Sequence, residues 1–121
     1  MTTFPFPAVV ELEDVGGAIP GFKIVGNESD TGFGESVSNA GDVNGDGLGD
    51  LLVGAPAAAR GGGQSGAAFV VFGKIDGTSV DLAAISAGLG GFEIRGGAVQ
   101  DLAGSAVSSA GDLNGDGFSD L

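Results

Sequence analysis

The sequence predicts an all-β fold of short strands joined by glycine-rich turns. Three observations carry that expectation. Glycine makes up 26 of the 121 residues while 42% are hydrophobic, a balance that suits tight turns and small-residue packing and not disorder. No long apolar period of 3.6 residues marks a helix of any length. The nine residues from Asp42 to Asp50, DVNGDGLGD, return as DLNGDGFSD from Asp112 to Asp120, and the 70-residue offset aligns much more than these loops without a gap. Val10, Leu12 and Val15 match Val80, Leu82 and Ile85. Gly21, Phe22 and Ile24 match Gly91, Phe92 and Ile94, and Gly34, Val37, Ser38, Ala40 and Gly41 match Gly104, Val107, Ser108, Ala110 and Gly111.

Within one period the elements follow from local composition. Residues 22–25 read as a short strand opened and closed by glycines. Residues 36–40 lead into the first nine-residue loop and 50–53 lead out of it, with Gly54, Ala55 and Pro56 breaking that strand. Residues 60–66 are glycine-rich and predict a turn, and 67–72 a strand closed by Gly73. Residues 80–85 read either as one helical turn or as an irregular crossing, and 92–95 as the next strand. Four short strands per period suit a propeller blade better than a helical solenoid. The expected organisation is a β-propeller fragment: repeat 1 over 10–79, a shorter repeat 2 over 80–121, about one complete four-stranded blade and parts of two neighbours. The lone strands expected on either side, 22–25 and 105–110, would offer unpaired edges, so self-association or loss of order at 10–24 and 105–121 is expected of the isolated chain.

The loops carry the chemistry. Oxygen side chains fall at positions 1, 3, 5 and 9 (Asp42, Asn44, Asp46, Asp50), glycine stands at position 6 (Gly47), and position 7 (Leu48) has only its backbone carbonyl to give. This is spacing by which one loop surrounds a hard cation such as Ca²⁺. Asp112, Asn114, Asp116, the Phe118 carbonyl and Asp120 repeat it. Three carboxylates held this close repel one another without a cation between them. The competing reading is an Asn-Gly/Asp-Gly hairpin turn with no metal. An EF-hand is a poor match, because position 12 of the first loop is Val53 and the residues after Asp50 read as a strand.

Phe33-Gly34 before the first loop and Gly54-Ala55-Pro56 after it resemble the FG-GAP repeat of the integrin α-subunit head, in the same order and with the calcium loop between them. The resemblance implies that each repeat forms most of one blade of a seven-bladed β-propeller. By it, 36–40 is the innermost strand, 51–53 the second, 67–72 the third and 92–95 the outermost. The second copy departs from the motif, with Ala103-Gly104 in place of Phe-Gly. The resemblance also implies partners: the remaining blades, and a protein or glycan ligand of the parent propeller. The parent is expected to be an adhesion or recognition protein. The alternatives are an accessory propeller of a secreted hydrolase such as a phospholipase, and a dockerin-like interaction module, which Val53 and Pro56 disfavour.

Charge and residue content narrow the classes further. A net charge of −12 with 4 basic residues disfavours nucleic acid and anionic membrane. Two Ca²⁺ ions would take −12 only to −8. With no His, Cys, Trp or Tyr, triads needing His or Cys are excluded within this chain, and a non-enzyme is expected. Gly61-Gly62-Gly63 lacks the Lys-Ser/Thr of a phosphate cradle. Phe22, Phe33, Phe69, Phe72 and Phe92 are expected in the core, and Arg60 and Arg95 in solvent. No disulfide is possible, so Ca²⁺ is the expected staple. The first residues show no signal-peptide pattern. No stretch approaches the ~20 apolar residues of a membrane span. The modest calcium affinity usual for extracellular modules, ~10⁻⁴–10⁻³ M, places the parent protein outside the cell or at its surface.

Overall fold

The computed structural model describes residue 9 and residues 11–17, 20–26, 31–59 and 63–121. The expectations for 1–7, Val10, Arg60, Gly61 and Gly62 lie outside the described residues. A single turn of 3₁₀ helix at Leu12–Asp14 precedes strand β1 at Ile24–Val25. Strands β2 (Ser36–Gly41), β3 (Asp50–Ala55) and β4 (Ala67–Val71) follow. Then come β5 (Val80–Asp81), a five-residue helix α1 (Leu82–Ser86) and β6 (Gly91–Arg95). Among the described residues the fold is all-β apart from α1 and the 3₁₀ turn. No helix among the described residues is long and apolar enough to cross a membrane.

Strands β2, β3, β4 and β6 form one antiparallel sheet in that order, the order expected from innermost to outermost strand of a blade. β4 and, after Asp50, β3 are apolar because both of their faces are covered. On one face Ala55, Ala67, Phe69 and Val71 pack with Ala58 and with Leu82 and Ile85 of α1, under Phe22, Ile24 and Phe33. On the other, Ala68 and Val70 join Ala40 and Leu52, with Val43, Phe72 and Val107 against them. Phe69 is fully buried and meets Phe33 edge-to-face, with centroids 5.8 Å apart and planes at 78°. Burying such a ring contributes about 1.5–3 kcal/mol, and the paired geometry adds about 0.5–1.5 kcal/mol. The Phe of the Phe-Gly pair is therefore a packing residue. Phe92 lies on the second face at 36% exposure, less enclosed than the core role expected of it.

The structure corrects several expectations. Gly54, Ala55 and Pro56 do not all break the strand: β3 continues through Gly54 to Ala55. Gly54 serves packing, since a Cβ there would collide with the carbonyl of Gly104 and the hydroxyl of Ser36. Ser36 Oγ donates to that same carbonyl at 2.8 Å. Residues 22–25 form no outer strand of an antiparallel sheet; β1 is two residues long and pairs in parallel with β5. Of the two readings for residues 80–85, the helical turn holds from Leu82 on, and Val80–Asp81 form the short strand β5 in place of an irregular crossing. Asp81 caps α1 by accepting the Ala83 N–H at 2.9 Å. Residues 105–110 make no ladder. Past β6, pairing among the described residues is confined to one antiparallel bridge between Gly111 and Asp120 and one parallel bridge between Gly66 and Ala103.

Candidate metal centre

The first loop joins β2 to β3 and folds around Asp42. Asp42 Oδ1 accepts the N–H groups of Gly45 (2.7 Å) and Asp46 (3.1 Å), and its Oδ2 that of Gly47 (2.9 Å). Asn44 Oδ1 accepts the Asp46 N–H at 3.1 Å, and Asp46 Oδ1 the Leu48 N–H at 2.8 Å. Gly45 and Gly47 turn the chain at φ +78° and +85°, values that side chains bearing a Cβ rarely adopt. Each short polar side chain thus bonds the backbone a few residues ahead and closes the turn without help from the sheet.

The second loop repeats these side-chain-to-amide bonds. Asp112 takes Gly115 (2.8 Å), Asp116 (3.2 Å) and Gly117 (3.0 Å), Asn114 takes Asp116 (3.0 Å), and Asp116 takes Phe118 (2.9 Å). Gly115 and Gly117 stand at φ +75° and +90°. Position 9 differs in its surroundings. Asp50 is 4% exposed, with Oδ2 on the Val43 N–H at 2.7 Å and Oδ1 on the Gly73 N–H at 2.8 Å. Asp120 keeps only the equivalent of the first bond, to Leu113 N–H at 2.7 Å, and is half-buried.

All ten residues singled out from the spacing are therefore in two like-shaped loops. Among the described residues, however, no three His, Cys, Asp or Glu side chains converge as a group able to hold a metal ion. The loop's other oxygens, the Asn44 amide and the Leu48 carbonyl, are of other types. The donor chemistry fits a hard cation: every polar group offered is oxygen, and the chain has no His or Cys. A carboxylate has about four lone-pair sites, so Asp42 and Asp50 keep acceptor capacity beyond their N–H bonds. Three functional features were missed by spacing alone. The Gly73 N–H lies 23 residues from Asp50, and nothing local signals it. The Phe118 ring and Ser119 lie against the first loop. Their signal was that the two loops differ at positions 7 and 8, where Leu48 and Gly49 become Phe118 and Ser119.

A four-stranded antiparallel sheet with an oxygen-lined loop between its first two strands has the form of a propeller blade. Residues 33–71 match the family model of the FG-GAP repeat. The chain carries an FG-GAP repeat, spanning Phe33, the first loop and β2 through β4. No curated protein matches the chain.

Proposed function

We propose that this chain is a calcium-binding, non-catalytic β-propeller repeat segment of an adhesion or recognition protein similar to the integrin α head, acting outside the cell or at its surface. The observation that carries the reading is the duplicated loop, with the same side-chain-to-amide bonds in both copies on top of the FG-GAP match. Asp42, Asn44, Asp46, the Leu48 carbonyl and Asp50 would hold one Ca²⁺, and Asp112, Asn114, Asp116, the Phe118 carbonyl and Asp120 a second. The ion would supply charge neutralisation and a fixed loop, not chemistry. The exit of the first loop into β3 supports a propeller over a dockerin-like module, which needs a helix there. Neighbouring blades are the immediate partners, and a protein or glycan ligand of the assembled propeller is the more distant one.

Calorimetric titration with CaCl₂ tests the site. Asp46→Ala, made in a background with Asp116→Ala to silence the second loop, should abolish the remaining uptake. At calcium 10–100 times Kd the intact protein should gain about 1.4–2.7 kcal/mol of stability per site, with a concentration-dependent rise in Tm. Equal uptake by wild type and the double variant, or a melting curve indifferent to chelator, overturns the reading.

A further inference from the structure

The two loops are in contact, and the contact joins ligand-bearing stretches of both. A Cβ placed on Gly45, between Asn44 and Asp46, would stand 2.5 Å from Cε1 of Phe118. The Phe118 ring therefore lies on the backbone of the first loop. Next to it, the Ser119 N–H donates to the carbonyl of Asp42 at 3.2 Å. A Cβ on Gly41 would collide with the Ser119 side chain. The equivalent glycines of the second loop, Gly111 and Gly115, have nothing within 4 Å of a Cβ position. The seating is thus a property of the pair and not of the loop type.

We infer that Phe118 and Ser119 couple the two loops, so that a cation bound in one raises the affinity of the other. This rests on the calcium reading above. Phe118 sits at position 7, where only its carbonyl is offered to an ion. Fixing that carbonyl fixes the ring that leans on Gly45, and Ser119 holds Asp42, the position-1 residue of the first loop. An ion in either loop orders backbone that the other ion needs ordered, so the ordering cost falls on the first ion alone. Coulomb effects oppose this, since a filled loop is less negative and attracts its neighbour's ion less. Asp46, Asp112 and Asp116 are exposed, and salt near 0.15 M screens exposed charges beyond about 8 Å. The carbonyl ligand survives any side-chain change at 118, so removal of the ring separates coupling from ligation.

The test is a CaCl₂ titration of the whole chain in 0.15 M salt, following the Gly47 and Gly117 amide resonances by ¹H–¹⁵N NMR to read each loop separately. Asp116→Ala should raise the Gly47 midpoint about fivefold, the low end of usual coupling. Phe118→Ala should raise both midpoints by a similar factor while both amides still respond, because coupling is reciprocal. Phe118→Leu, which restores an apolar side chain like Leu48, should recover part of the loss. It also serves as the reading if Phe118→Ala disturbs the amides of 67–71. A Gly47 midpoint that ignores Asp116→Ala, with both midpoints unmoved by Phe118→Ala and Phe118→Leu, overturns the coupling alone. If neither amide responds to calcium, the site reading falls and the coupling with it.

Discussion

Replacing Asp50 by Ala should destabilise the protein by about 3–5 kcal/mol even in excess chelator. Spacing marks Asp50 only as the ninth residue of a cation loop, but its carboxylate is 4% exposed and each oxygen already accepts a backbone N–H. One bond ties the loop at Val43 to the start of β3. The other ties β3 to the chain leaving β4 at Gly73. A hydrogen bond to a charged acceptor is worth about 1.5–3 kcal/mol, and Ala would also leave two N–H groups short of partners. Asp50→Asn keeps one acceptor oxygen and turns an NH₂ toward a donor, so it should cost at least one of the two bonds. Asp120→Ala is the internal control: one such bond in a half-buried setting, about 1–2 kcal/mol. Urea unfolding followed by circular dichroism, with and without calcium, measures all three. If Asp50→Ala in chelator stays within about 0.5 kcal/mol of wild type, Asp50 has no metal-independent structural role and the reasoning fails.

Two further outcomes are expected. Leu102 stands at φ +53°, where the first copy has Gly32 at φ +81°; the left-handed backbone costs a residue with a Cβ about 1–2 kcal/mol. Leu102→Gly should therefore stabilise the protein by about 0.5–1 kcal/mol after some lost packing and the added freedom of the unfolded chain, and a lower melting temperature contradicts this. The hydrogen bond from the Thr78 hydroxyl, then those from Lys74 and the Thr78 N–H, hold the Asp76 carboxyl down at about 2. Because the folded value lies below the ordinary ~4, its stabilising effect is complete above pH ~4 and is lost as pH falls toward 2. An NMR titration of the Asp76 carboxyl should show a midpoint near 2 that rises in Thr78→Val, and an unmoved midpoint refutes the assignment.

Most of the blade was legible in the residues themselves. β4 is announced by its unbroken apolar run, and β2 and β3 by their places on either side of a loop whose own side chains close it. Those signals are local: strand propensity, glycine at left-handed positions, and Asp and Asn bonding the backbone two to five residues on. The strand order came from the resemblance to the FG-GAP repeat, while the 70-residue period marked the chain as built from a repeated unit that has to bury its faces against its neighbours. What tertiary structure decided lies across the chain. Gly54 reads as a strand breaker, but it stays in β3 because the backbone at Gly104, fifty residues on, approaches too closely for a Cβ. Residues 105–110 match a strand in sequence yet form no ladder, since a strand needs a partner and repeat similarity does not provide one. Spacing places Asp50 in a cation loop; only the fold brings Gly73 to it, buries it and makes it a clamp between strands. The Phe118 ring on Gly45 is of the same kind, a contact between loops 70 residues apart that exists only once both copies are folded side by side.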